Sequence, residues 1–296
     1  MHIGITGGSG LVGQAVAEHF KNEGHIVHIF TRKKDPSSPY SQIEWLQGET
    51  PTDLPPIDYY VHLAGASINE GRWTEKHKRA IYNSRMDATK ALIDMIRAND
   101  YQPKAVFQAS ATGIYPFSET AVYDETSAIE NEHFLAQTVR DWERLTSTLQ
   151  KEDGIRTVFM RFGIVLSSKG GALPMMSLPY KLFGGGRVGS GRQWVSWIHI
   201  QDIVQSIAFF IENEQISGPV NLTAPNPVRM DEFGRTIGKV LHRPHWFPVP
   251  AFLLHIILGE KAEIALKGQC VVPKVLEDNG YNFLYPQLQD ALKDLL

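Results

Sequence analysis

Apolar positions along this chain fall into two alternating rhythms. Short runs rich in β-branched and aromatic residues predict strands at Ile3–Ile5, Ile26–Phe30, Ile43–Leu46, Tyr59–Leu63, Ala105–Ala109 and Thr157–Phe162. Between the first two, Leu11, Val12, Ala15, Val16, His19 and Phe20 recur at helical spacing, and Gly24 stands where a helix C-terminal glycine belongs. Two further helices are predicted over Ser84–Arg97, with Met86, Leu92, Ile93 and Ile96 on the apolar side, and over His133–Gln150, with Phe134, Trp142, Leu145 and Leu149. This alternation through the first two-thirds of the chain predicts an α/β fold: a doubly wound parallel sheet, helices on both faces, right-handed crossovers.

After Phe162 the texture changes. A Gly-rich basic stretch, Gly184 to Arg192, leads into the aromatic run Trp194-Val195-Ser196-Trp197-Ile198-His199, followed by a helix over Ile200–Ile211, a strand over Val220–Thr223 and a helix over Met230–Leu241. From Pro248 onward, amphipathic segments broken by Pro273 and Pro286 predict a small helical appendage.

The most informative segment is the first turn. Gly7-Gly8-Ser9-Gly10-Leu11-Val12-Gly13 follows an apolar strand and opens an amphipathic helix, the setting of a dinucleotide-binding fingerprint in its G-x-x-G-x-x-G variant. The first glycine permits a tight turn, a position without Cβ lets pyrophosphate approach the backbone, and the helix N-terminus offers N–H donors and a positive dipole. The residue that separates NAD from NADP lies at the end of the second strand, which here reads Thr31-Arg32-Lys33. An acid there would bind a ribose 2′-hydroxyl, whereas Arg32 and Lys33 suit a 2′-phosphate, so the expected cofactor is NADP(H). After the fourth strand, Leu63-Ala64-Gly65 supplies small residues beside the adenosine half.

Composition narrows the setting. At 296 residues and 43% hydrophobic content the chain can bury a full core, and its net charge of −3 argues against a nucleic-acid or membrane-surface partner. Cys270 is the single cysteine, so neither an intramolecular disulfide nor a Cys-rich metal cluster can form. His242-Arg243-Pro244-His245 lacks metal-ligand spacing, so no metal is expected. The glycines follow Met1 too closely for a secretory signal, and the apolar run Phe252–Leu258 is too short to span a membrane, which predicts a cytoplasmic protein.

With Thr6-Gly7-Gly8-Ser9-Gly10-Leu11-Val12-Gly13, His62-Leu63-Ala64-Gly65 and Trp197-Ile198-His199-Ile200-Gln201-Asp202-Ile203 in order, the chain resembles the extended short-chain dehydrogenase/reductases. Ser84-Arg85-Met86, Ser110-Ala111-Thr112-Gly113-Ile114-Tyr115, Gly191 to His199 and Gly268-Gln269-Cys270-Val271-Val272-Pro273-Lys274 narrow the resemblance to an atypical branch known as epimerase family proteins. The resemblance implies a Rossmann domain over 1–245, with substrate-side insertions mainly over 163–200 and 224–245, and an appendage over 246–296. It adds Arg85 to the cofactor residues. Its catalytic Tyr-x-x-x-Lys pair aligns with Leu135 and Val139, neither of which can move a proton. Ser110 matches the family's serine, and Tyr115 is the nearest alternative phenol. Its substrate-phosphate arginine aligns with Val195, while Arg187 and Arg192 lie just upstream, with Trp194 and Trp197 as apolar walls of an anion site. For His199 the core is the expected place.

Two functions remain open at this point. One is an NADP-dependent, epimerase/dehydratase-like oxidoreductase for a small polar hydroxyl or carbonyl compound. The other is a non-catalytic NADP(H)-binding regulator that engages a protein partner or forms a homodimer.

Overall fold

The structure, a computed structural model, describes residues 1–48, 50–69, 71–130 and 133–296. The side chains of Ile257 and Leu258, which close the apolar run from Phe252, lie outside that description. The chain opens with β1 (His2–Thr6), α1 (Leu11–Asn22), β2 (Ile26–Thr31), β3 (Ser41–Glu44), β4 (Tyr59–His62), α2 (Glu75–Ala98) and β5 (Ala105–Ala111). It continues through β6 (Val122–Tyr123), α3 (Phe134–Asp153), β7 (Arg156–Phe162), β8 (Ile164–Leu166), α4 (Ala172–Lys181), β9 (Trp194–Val195), β10 (Trp197–His199), α5 (Ile200–Glu212) and β11 (Gly218–Leu222). Then come β12 (Val228–Arg229) and α6 (Met230–Leu241), and in the tail α7 (Ala251–Leu258), α8 (Ala262–Leu266), β13 (Cys270–Val271), α9 (Lys274–Asp278) and α10 (Leu288–Leu295).

The central sheet has seven strands in the order β3-β2-β1-β4-β5-β7-β11. Every neighbouring pair is parallel. The doubly wound α/β expectation is therefore met, and the order reverses between β1 and β4, where such sheets open a crevice at their carboxyl ends. On one face Ile3, Ile5, Val61 and Phe107 pack with Val16 and Phe20 of α1 and Ile203, Ile207 and Phe210 of α5. On the other, Phe30, Tyr60 and Val106 pack with Leu92, Ile93 and Ile96 of α2 and Leu149 of α3.

The short strands β6, β8, β9, β10, β12 and β13 were not expected, and three further departures have a local cause. β3 ends at Glu44, and Trp45 turns inward to join the α2–α3 core. α2 begins at Glu75, well before Ser84, because Thr74 caps it by accepting the His77 N–H at 3.2 Å. Its first turns are polar, so hydrophobic periodicity does not reveal them. α4 lies in a stretch for which no element was expected; its Pro174 sits in the opening turn, where a missing N–H costs nothing.

The tail is threaded into both cores. Leu276 and Tyr281 join the α1–α5 core, and Leu288, Ala291 and Leu292 of α10 pack with Trp197, Phe233 and Ile237 in a second core. Asp202, buried at the start of α5, accepts the N–H groups of Leu284 at 2.7 Å and Tyr285 at 3.1 Å. The fully buried Leu276 provides the check: Leu276→Ala should lower the unfolding free energy in urea by about 2–5 kcal/mol. A loss below about 0.5 kcal/mol, the scale of an ordinary surface substitution, would mean that the tail adds nothing to the core.

Candidate functional site

β1 delivers the chain to the glycine turn at the point where the strand order reverses. Gly7 has φ +71°, and a Cβ there would stand 2.8 Å from the carbonyl group of Leu63. A Cβ on Gly13 would stand 2.4 Å from the Gly7 oxygen, so helix and turn touch without side chains between them. Gly10 is the N-cap of α1 and offers no side-chain cap, leaving the first-turn N–H groups to an external acceptor.

A buried polar chain supports this turn. Thr6 Oγ1 accepts the N–H groups of Leu63 at 3.1 Å and Ala64 at 3.3 Å and lies 2.6 Å from His62 Nδ1. His62 Nε2 lies 3.0 Å from Thr89 Oγ1, which also accepts the Trp142 indole N–H at 2.8 Å. Burial pushes the His62 pKa down to about 3, so the ring is neutral. With Thr6 donating to Nδ1, the proton is assigned to Nε2. Gly65 faces Arg85, whose Nη1 donates to the carbonyls of Ala66 at 3.2 Å and Ile81 at 2.9 Å. Burial lowers the Arg85 pKa to about 10, and its guanidinium lies over the Trp142 ring. Arg85 thus shapes the loop after β4. At the end of β2, Phe30 stands beside Thr6 in register, so Thr31 and the exposed Arg32 and Lys33 emerge next to the glycine turn. Ser9, Leu11 and Val12 complete the turn and the first helical residues.

A second polar centre lies further along the same sheet edge. Ser110 of β5, Arg161 of β7 and Asn221 of β11 are register neighbours across three adjacent strands. Glu143 reaches this row from α3: Ser110 Oγ donates to its Oε1 at 2.6 Å, while Arg161 donates through Nε to Oε1 at 2.9 Å and through Nη2 to Oε2 at 2.8 Å. Arg161 Nη1 donates to the Tyr115 hydroxyl at 2.8 Å, which in turn donates to Asn221 Oδ1 at 2.9 Å. Burial alone would lower the Arg161 pKa, but Glu143 and Tyr115 outweigh it and hold the guanidinium charged. Burial raises the Tyr115 pKa.

Two expectations about catalytic groups are sharpened here. Ser110 spends its proton on Glu143, so its free lone pair can accept a hydrogen bond from a substrate hydroxyl. Tyr115 was the nearest alternative phenol, yet it is fully buried and its hydroxyl is held between Arg161 and Asn221. Leu135 and Val139 lie in the first turns of α3, and Val139 packs against Ile114, Tyr115 and Val271. Glu143 and Arg161 were missed by sequence reasoning. The signal was the arginine inside the apolar strand Thr157–Phe162, because a buried charge demands a partner.

The basic loop forms a separate cavity of about 620 Å³ whose charged lining is Arg187, Arg192, Arg229 and Arg235 together with Glu119, Asp231 and Glu232. Glu119 pairs with Arg192 at 3.3 Å and Asp231 with Arg235 at 2.7 Å. Among the described residues Arg187 forms no ion pair. Trp194 lies under Arg229, whose guanidinium is 3.6 Å from its ring centre, and Arg229 also donates to the Arg192 carbonyl. Trp197, expected as a second wall, is instead fully buried in the second core, and its indole N–H donates to Asn226 O at 3.2 Å. The apolar rows that fill that core claim it. His199 is buried as well: its Nδ1 accepts the Gln201 N–H at 3.1 Å and its Nε2 lies 3.2 Å from Asp294.

A seven-stranded parallel sheet with a glycine turn at its switch point defines the class of NAD(P)-binding Rossmann proteins. Residues 3–222 match the model of the NAD dependent epimerase/dehydratase family, and residues 249–295 match a domain of unknown function, DUF1731. An epimerase family protein of Bacillus subtilis is 45% identical over 300 residues, covering 100% of this chain and 98% of the relative. The crystal structure of a human epimerase family protein with NADPH superposes with a TM-score of 0.93 at 32% identity, covering 100% of this chain and 99% of that one. A nucleoside-diphosphate sugar epimerase from Corynebacterium glutamicum gives 0.79 at 32% identity, covering 99% of this chain and 57% of that one. The chain belongs to the NAD dependent epimerase/dehydratase family, in its atypical branch of epimerase family proteins carrying the DUF1731 tail.

His62 makes the support of the turn testable through pH. Its unfolded pKa is near 6.5 and its folded pKa about 3, so between those values the unfolded chain binds the extra proton. The contribution is complete above about pH 6.5 and is lost as pH falls toward 3. Urea unfolding at stepped pH should show this slope in the wild type, reduced by up to about one proton in His62→Gln. Parallel profiles would mean that the folded ring takes up the proton.

Proposed function

We propose that the protein is a cytoplasmic NADP(H)-dependent enzyme of epimerase/dehydratase type, acting on a small polar hydroxyl or carbonyl substrate. The observation that carries this reading is the side-chain-free cradle of Gly7, Gly10 and Gly13 lying beside the exposed Arg32 and Lys33. Gly7, Ser9, Gly10, Leu11, Val12 and Gly13 would hold the pyrophosphate. Thr31, Arg32 and Lys33 would hold a 2′-phosphate, with Leu63, Ala64 and Gly65 beside the adenosine and Arg85 fixing their loop. When bound, the cofactor supplies hydride exchange at its nicotinamide. The NADPH in the human relative's structure agrees with this choice.

On the substrate side, Leu135 and Val139 stand where the parent family carries its tyrosine and lysine. Ser110 then holds a substrate hydroxyl by accepting its hydrogen bond, with the serine's own proton held on Glu143. Tyr115 acts through Arg161 rather than by touching substrate. Arg187 and Arg192, with Trp194 behind Arg229, suit an anionic group on the substrate. A second reading, a non-catalytic NADP(H)-binding regulator, is favoured by one feature: Trp246, Phe247, Phe252 and Ile256 are each at least 64% exposed, large apolar side chains open to a protein partner.

Calorimetric titration should show NADPH binding about tenfold or more tighter than NADH, the scale of one charge-assisted contact to phosphate, and Arg32→Ala should erase most of the difference. Equal affinities in the wild type would sink the NADP assignment. For turnover found in a screen of hydroxyl compounds with NADP⁺, Ser110→Ala should cost about 10²-fold or more while leaving NADPH affinity intact. Activity that survives this substitution would remove Ser110 from the chemistry.

A further inference from the structure

The tail segment Gly268–Val272 lies between the two halves of the candidate site. On one side Gln269 Nε2 donates to the carbonyls of Thr112 at 3.1 Å and Tyr115 at 3.2 Å, the two ends of the helical turn that follows Ser110 and Ala111. The Ser118 N–H donates to Gly268 O at 3.0 Å, just before the cavity residue Glu119. Cys270 and Val271 pair in parallel with Val122 and Tyr123. On the other side Ser196 Oγ donates to Gln269 O at 2.9 Å and accepts the Val271 N–H at 2.9 Å. A Cβ on Gly268 would stand 2.0 Å from the Trp194 carbonyl oxygen, so the tail backbone lies directly on β9.

Apolar contact and strand ends close the arrangement. Val271 is fully buried against Ile114, Tyr115 and Val139. Thr223 Oγ1 donates to Val271 O at 3.2 Å and Asn221 Nδ2 to Val272 O at 3.0 Å, tying the segment to the end of β11 and to the partner of Tyr115. Among the hydrogen bonds named here, those of the Gln269 amide are the ones a tail side chain makes to the Ser110 turn. The amide holds two carbonyls that a displaced turn would carry away.

We propose that Gly268–Val272 is a wall of the reaction site and that Gln269 is its positioning residue. The segment sets the turn after Ser110 and fixes its distance from the Trp194–Glu119 side of the anion cavity. The DUF1731 tail is then a component of the site. The inference rests on the proposed cofactor reading for one of its two readouts only.

The experiment compares the whole wild-type chain with Gln269→Met, which keeps the volume and removes the donor, and with Gln269→Glu, which keeps the shape and replaces the donor by an acceptor. Hydrogen exchange should accelerate at residues 110–117 by about tenfold or more, the scale set by two neutral hydrogen bonds, while α1 and β2 keep their protection. Titration with NADPH and with 2′,5′-ADP, which lacks the nicotinamide half, supplies the second readout. NADPH affinity should fall severalfold and 2′,5′-ADP affinity should stay unchanged. Unaltered exchange over 110–117, acceleration spread evenly through the chain, or equal loss of both ligands would overturn the proposal. If the wild type binds neither ligand, the cofactor reading fails, and exchange at 110–117 still decides the role of Gln269.

Discussion

A buried guanidinium at the carboxyl edge of a parallel sheet fixes the elements packed around it. Arg161 is charged and almost wholly removed from water, so its donors must all be satisfied by groups at set distances. Glu143 meets two of them, which sets the rotation of α3 over the sheet. The same carboxylate receives Ser110, and the remaining side of the guanidinium receives Tyr115, which reaches Asn221. Removing one partner of such a pair typically costs about 3–5 kcal/mol, because the other charge is left buried and alone. Strands β5, β7 and β11, helix α3 and the loop after β5 therefore share one electrostatic constraint.

The cofactor turn and the Ser110 centre are linked through adjacent residues of α3. Trp142 donates to Thr89, the far end of the chain that runs through His62 and Thr6 to the loop against Gly7. Glu143 serves Ser110 and Arg161. One helical turn thus supports both, and a shift of α3 along its axis would disturb the glycine turn and the serine together. Their supports also differ in charge: the Thr6–His62–Thr89 chain is neutral, with His62 held unprotonated by burial, and Glu143–Arg161 is an ion pair.

The parts of the fold that could be read from sequence are those decided locally. The β1–α1–β2 unit, its glycines and the basic turn after β2 occupy a short stretch in which strand, turn and helix signals agree. Most strands and the later helices also announce themselves by period alone. α2 hides its beginning behind polar residues, and α4 carries two prolines, so in both the local rule points away from the structure. Cross-strand register was beyond reach, since Ser110, Arg161 and Asn221 are far apart in sequence and meet only once the sheet is assembled. For the same reason Trp197 and Trp194 look equivalent in the sequence, though one fills a core and the other lies beneath Arg229.

The threading of the tail has a consequence for biosynthesis. A ribosome releases the Rossmann segment first, and domains commonly begin folding during synthesis. Here the α1–α5 core lacks Leu276 and Tyr281, and the strand edge near Asn221 lacks Val272, until that part of the tail has been translated. The nascent sheet must therefore wait with apolar surface open to water, within reach of other unfinished chains. Its aggregation exposure is thus set by the time between synthesis of the sheet and arrival of the tail, which the equilibrium stability of the finished molecule does not describe.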